Sequence, residues 1–178
     1  MSLRLKQQTD EQLMQEVAEG NLDTVRFLFE RHHAHLYNFL HKMSGDVSLS
    51  EDITQDVFYK IIKYRSSYKN GKFVSWMFTI ARNSLATHYS RDKNKHADLE
   101  VVAHKLTEET VLEDEDHSHL QRALNALPDS DRELLVLNRF QEIKYAELAE
   151  IVGSTPGAVK TKVSRALKKL QGLYFKNI

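Results

Sequence analysis

Apolar side chains recur every three or four residues through most of this chain, and no segment alternates apolar and polar positions over strand-like lengths. That period predicts helices almost throughout, and six glycines and two prolines in 178 residues leave few places to interrupt them. Near the start, Asp10 is placed to cap a helix running through Ala18. Asn21 or Asp23 could cap a second helix, which carries Val25, Phe27, Leu28, Leu36, Tyr37 and Leu40 as core positions. After a break at Ser44 to Asp46, the stretch from Leu49 to Tyr64 sets Ile53, Val57, Phe58, Ile61 and Ile62 on one side. Glu51, Asp52, Gln55, Asp56 and Tyr59 fall toward the other, a polar and largely acidic surface; acids in a helix's first turns are ordinary, because they favour its N-terminus. The next helical stretch, Ser75 to Lys93, offers Trp76, Met77, Ile80 and Leu85 to a core and Arg82, Asn83 and Thr87 to a polar side.

The most specific pattern lies in the last third, from Tyr145 to Leu170. Leu148, Ile151 and Val152 give a first helix its apolar spacing. Gly153 then supplies the left-handed backbone that a sharp stop requires. Thr155 can cap a second helix, and Pro156 suits its first position, where the missing N–H would have no intrahelical partner. Val159, Val163, Ala166, Leu167 and Leu170 form the buried stripe of that second helix, which turns Lys160, Thr161, Ser164 and Lys168 to the opposite face. Between Gly153 and Ile178 every charged residue is positive: Lys160, Lys162, Arg165, Lys168, Lys169 and Lys176. A helix, a tight turn and a basic second helix make duplex DNA the leading ligand, although a hairpin with a solvated charged face would show the same pattern.

Charge changes the picture further, because a formal net charge of zero conceals two blocks. From Lys60 to Lys95, nine basic residues face Asp92 as the single acid. From His96 to Asp116, eight carboxylates face Lys105 alone, ending in the run Glu113 to Asp116. The expected architecture is therefore all-α: two small helical domains joined by an acidic linker, the C-terminal one containing a helix-turn-helix. With no cysteine, disulfides and thiolate metal sites are excluded, and no apolar run is long enough to span a bilayer. The N-terminal segment lacks a signal-peptide core, so a cytoplasmic protein without membrane insertion is expected.

Within the basic block, Tyr64, Tyr68 and Phe73 interleave with Lys63, Arg65, Lys69 and Lys72 around a turn at Asn70-Gly71. Aromatic faces separated by cations suit single-stranded nucleic acid, where each stacked base contributes ~1–3 kcal/mol. The plainer reading is a basic loop whose aromatics anchor it to the core, and Phe73 fits that reading better. Histidines at 32, 33 and 35, with His117 and His119 as an H-x-H pair, raise a metal site. No carboxylates join them at suitable spacing, so no metal and no cofactor are expected.

Two blocks of these residues together resemble a known family. Glu51 to Ile61, followed by Phe73, Trp76, the run Ile80 to Asn83 and the basic tail, resembles the promoter-melting domain of bacterial RNA polymerase sigma factors of the small extracytoplasmic-function type. Leu120 to Leu137, followed by Tyr145 to Leu170, resembles the same family's upstream-element-binding domain. The resemblance implies a melting domain over residues 1–95, a linker over 96–116 and an upstream-element domain over 117–178. Glu51, Asp52, Gln55 and Asp56 would dock on the polymerase clamp, with a further polymerase contact at the flap. Arg65, Tyr68, Lys69, Lys72, Trp76, Arg82 and Asn83 would recognise and open the downstream element. Thr155, Lys160, Thr161, Ser164, Arg165 and Lys168 would meet the upstream element. The acidic linker would thread polymerase channels that otherwise hold nucleic acid, and an anti-sigma factor is the further partner the family implies. Thr87 departs from the pattern, since an acidic residue is usual four positions after the asparagine.

A one-component transcription regulator, with a sensing N-terminal domain and a helix-turn-helix acting without polymerase, is the alternative in another class. The sensor signatures it needs are not visible. An enzyme is a poor fit, because the chain lacks a glycine-rich phosphate loop, a nucleophile elbow and a metal pair.

Overall fold

A computed structural model describes residues 5, 7–96 and 115–176, excepting the side chains of residues 96 and 115–117. Eight α-helices are named here: α1 (Asp10–Ala18), α2 (Val25–Ser44), α3 (Val47–Lys63), α4 (Phe73–His96), α5 (Glu115–Asn125), α6 (Asp129–Leu135), α7 (Tyr145–Val152) and α8 (Pro156–Lys176). Single 3-10 turns at Leu22–Thr24 and Arg65–Ser67 join some of them, and a π-helical turn at Val136–Phe140 continues α6. Most of the acidic linker, residues 97–114, lies outside the described residues. The described residues form two compact units. One holds those up to 96 apart from 41–46, and the other holds 41–46 with those from 115 onward.

In the first unit α1 begins one residue earlier than the sequence indicates. Thr9, not Asp10, is the N-cap, and it exchanges hydrogen bonds with Gln12 in a capping box. Asp10 is thereby released for a different task, described below. The break between α2 and α3 falls at Gly45, whose φ of 68° ends α2 in the left-handed region. The core is built from Leu13, Met14, Leu28, Leu36, Phe39, Leu40, Val57, Ile61, Phe73 and Met77, all fully or almost fully buried. Phe73 therefore does anchor the basic loop, as its spacing indicates. Tyr37, Ile62 and Ile80, expected in the core, are only partly buried, while Phe39, Phe78 and Ala81 go inside instead. Aromatic pairs cross the helices: Phe39 meets Phe78 edge-on at 5.5 Å, and Phe29 meets Phe58 at 4.9 Å. Each such pair contributes about 0.5–1.5 kcal/mol beyond the area it buries.

In the second unit, α8 packs on α5, α6 and α7. Val159, Val163, Ala166 and Leu170 of α8 are buried with Leu148, Ala149 and Ile151 of α7. Gly153 has φ 67° and ψ 48°, and the N–H groups of Gly153 and Ser154 both bond the Ala149 carbonyl. Thr155 caps α8 by accepting from Ala158 N–H at 3.3 Å, and Pro156 is the first helical residue. Each of those assignments follows the local code in the sequence. The loop before α7 closes with Asn138 donating its amide to the Ile143 carbonyl at 2.9 Å.

Candidate nucleic-acid and polymerase interfaces

On α8 the residues Lys160, Thr161, Ser164, Arg165 and Lys168 are all exposed. At about 100° per residue they fill an arc of roughly 140° centred opposite the buried stripe. Lys169, further round the helix, bonds Asp131 at 2.6 Å. Among the described residues no ion pair engages Lys160, Lys162, Arg165 or Lys168, so their charges face outward uncompensated. Thr161 donates its hydroxyl to the Gly157 carbonyl at 3.1 Å, which leaves its oxygen lone pairs as acceptors. Thr155 accepts in the cap through Oγ1, which leaves its exposed O–H able to donate to a phosphate oxygen.

The second candidate surface lies on α3, α4 and the loop between them. Arg65 is half-occupied, donating to the Ile62 carbonyl at 2.9 Å, while Lys69 and Lys72 are exposed. Asn83 is exposed on α4, Arg82 and Trp76 are partly buried, and Thr87 is exposed one turn beyond Asn83. Tyr68 requires a correction, because it does not present a stacking face. It is only 7% exposed, its ring lies 5.2 Å from that of Trp76, and its hydroxyl donates to the Gly71 carbonyl. Burial pushes that hydroxyl up to about 12, with the negative charges of Glu11 and Asp10 adding to the shift. The rings left exposed here are Tyr59 and Tyr64, at 61% and 47%. The Lys63 ammonium sits 5.9 and 5.3 Å from their centroids. Tyr59 was missed as an aromatic of this surface, although its four-residue spacing to Lys63 was the available signal.

The acidic face of α3 is partly as expected. Glu51, Asp52 and Gln55 are exposed, but Asp56 pairs with Lys60 at 2.8 Å. Lys60 in turn donates to Ser84 at 2.8 Å, which ties α3 to α4. Asp56 is therefore a less available anion than its neighbours. Three of the candidate histidines make local contacts: His32 lies 2.7 Å from Asp10, His33 stacks on Phe29 at 4.7 Å, and His119 hydrogen-bonds the Tyr174 carbonyl at 2.8 Å, while the side chain of His117 lies outside the described residues. Among the described residues no group of three or more His, Asp or Glu is placed to hold a metal. No described helix is long and apolar enough to cross a membrane.

These observations define a two-unit helical protein with a basic helix-turn-helix in one unit and a basic, aromatic surface in the other. Residues 28–95 match the family model for Sigma-70 region 2, and residues 118–170 match that for Sigma-70, region 4. The chain belongs to the sigma-70 family of RNA polymerase sigma factors, in its extracytoplasmic-function type. It is 31% identical over 166 residues to the RNA polymerase sigma factor CarQ of Myxococcus xanthus, covering 90% of this chain and 94% of that one. It is 25% identical to the sigma factor SigM of Bacillus subtilis, covering 87% of this chain and 98% of SigM. Among solved structures, RpoE of Bartonella quintana, crystallised with the anti-sigma factor NepR, superposes with a TM-score of 0.69 at 25% identity, covering 83% of this chain and 94% of that one. CnrH, solved with the cytosolic domain of CnrY, shares the fold with a TM-score of 0.74 at 21% identity, covering 95% of this chain and 99% of that one. The protein is thus a transcription initiation factor that directs RNA polymerase to promoters, and the family is a non-enzymatic one. The polymerase-independent regulator is not favoured, because the matches extend over both units.

Proposed function

We propose that the two surfaces divide promoter recognition between them, with a melting domain over residues 1–95, an acidic linker over 96–116 and an upstream-element domain over 117–178. The exposed, uncompensated face of α8 supports the upstream assignment most strongly. Lys160 and Arg165 have the reach and charge for guanine acceptors, and Thr161 and Ser164 for bases or phosphates. Lys168 and the N–H groups of the turn around Thr155 serve backbone phosphate, which fixes register. On the other unit, Lys69, Lys72, Arg65 and Arg82 hold the single strand by charge, while Asn83 and Trp76 meet bases. Extruding a base costs a few kcal/mol, and a pocket that repays this for one base gives selectivity as well as opening. Tyr68 shapes that pocket from inside. Tyr59 and Tyr64 supply the exposed stacking area.

Glu51, Asp52 and Gln55, with Asp56 in a supporting place, form the clamp contact, and the linker's carboxylates imitate nucleic-acid phosphates in the polymerase channels. RpoE was solved with the anti-sigma factor NepR, and this chain has an anti-sigma partner of its own by the same logic. The protein works in the cytoplasm and is not an enzyme. The test is substitution of Lys160 and Arg165 by Ala. Each should weaken holoenzyme binding to the upstream element by ~1–3 kcal/mol and relax its base preference there. Unchanged promoter choice in the double variant overturns the assignment.

A further inference from the structure

The N-terminal helix α1 lies outside the segment that matches the region 2 model, which starts at residue 28. It nonetheless reaches the start of the helix that carries Trp76 and Asn83. The Glu11 carboxylate accepts from the Phe73 backbone N–H at 3.2 Å, across 62 residues of sequence. Phe73 is the first residue of α4, so its N–H has no partner within the helix. A carboxylate at that point satisfies the orphan donor and meets the positive end of the helix dipole. The side chain is held in place from the other direction as well. Its neighbour Asp10 accepts from Arg31 at 2.8 Å and lies 2.7 Å from His32, which fixes α1 to α2, while the His32 ring packs 5.4 Å from that of Phe73. Burial pushes the Asp10 carboxyl up, but the hydrogen bonds and charges of His32 and Arg31 outweigh it and hold it below its ordinary value. The carboxylates of Glu11 and Asp10 also act on Tyr68, whose hydroxyl closes the Asn70-Gly71 turn on the Gly71 carbonyl. Asn70 itself is left-handed, with φ 50°.

We infer that Glu11 is a positioning residue for promoter opening: it caps α4 from outside that helix and so sets the loop from Arg65 to Lys72 and the first turn of α4 in the form that receives the melted strand. The inference rests on the assignment of this surface to the downstream element. Phe73 is the hinge between the loop and the helix, and without the cap its N–H must find water or the first turn must fray. Trp76 stands in that turn, and Asn83 two turns further on. The rate of opening therefore depends on a residue that touches no DNA.

The test uses the full chain assembled with core RNA polymerase and a promoter carrying a fluorescent base analogue in the downstream element. Glu11→Met keeps the side-chain length and removes the acceptor, whereas Glu11→Gln keeps an acceptor oxygen and removes the charge. Loss of the cap should slow opening by about fivefold in the Met variant, the factor that corresponds to ~1 kcal/mol. The Gln variant should open close to the rate of the unaltered protein. Polymerase binding and the upstream footprint should not change in either, which separates positioning from a general loss of structure. Should the Met variant fail to fold, Glu11→Ala replaces it. Asn83→Ala is measured beside them. Opening at the normal rate in the Met variant, with Asn83→Ala impaired, overturns the inference alone. Equal slowing in Met and Gln overturns it too, because the acceptor would then not be what matters. Normal opening in both Glu11→Met and Asn83→Ala overturns the downstream assignment itself, and the inference with it.

Discussion

At the residue scale, the helix-turn-helix is governed by Gly153. Its φ of 67° lies where L side chains are strained, yet an added Cβ would meet nothing within 4 Å. The cost of a side chain there is conformational and not steric. Gly153→Ala should therefore destabilise the second unit by ~1–2 kcal/mol, and Gly153→Asn by less, since Asn tolerates the left-handed region. Denaturant unfolding of the full chain checks this, and an Ala variant as stable as the unaltered protein would refute the account of the turn. Gly153, Thr155 and Pro156 were legible in the sequence because each acts through its own backbone or that of its near neighbours. Tyr68 was not. The cations around it implied exposure, whereas α1 packs on the adjoining turn at Arg65–Ser67 and the Trp76 ring covers one side of it. Whether an aromatic residue in a loop points in or out is decided by distant partners, and no local spacing records them.

At the element scale, the apolar period located α1, α2, α3, α4, α7 and α8, with errors at their edges of the kind that packing introduces, whereas α5 and α6 lie in a stretch read only through its family resemblance. Ile62 and Tyr37 sit at the edges of buried stripes, where a small rotation of the helix decides whether a side chain is covered. The capping of α4 by Glu11 had no sequence signal at all, because an acid in the first turn of α1 already has a sufficient local reason to be there. The polar face of α3 was legible as a surface, but its internal pairing was not: Asp56 and Lys60 stand four residues apart and satisfy one another. The remaining exposed acids carry the prediction for this element. Changing Glu51 and Asp52 to Lys should reverse the charge of the proposed clamp surface and reduce holoenzyme formation at least tenfold, about 1.4 kcal/mol or more, with helical content unchanged. Since both side chains are exposed and make no ion pair among the described residues, folding should not suffer. Normal affinity for core polymerase in a quantitative pull-down would contradict the clamp role.

At the scale of the whole molecule, two small helical units have, on the proposed reading, two different ways of holding DNA. A rigid basic helix face suits duplex, because its side chains stand on a fixed period and meet a regular groove. A basic loop bordered by Tyr59, Tyr64 and Trp76 suits single strand, because flat rings and mobile cations accept irregular backbone. On that reading, specificity comes from presenting both surfaces to one polymerase-bound promoter. The order of the two blocks in the chain was legible from sequence, and it was more informative than either block alone, since a helix-turn-helix by itself is common to many DNA-binding classes. The central claim is tested most directly by transcription in vitro from a pool of promoters, using purified core RNA polymerase with and without this protein. The account predicts stable association with core and new transcripts that share upstream and downstream elements and are lost when Lys160, Arg165 and Asn83 are replaced by Ala. Failure to bind core, together with tight binding of duplex operator by the protein alone, would contradict it.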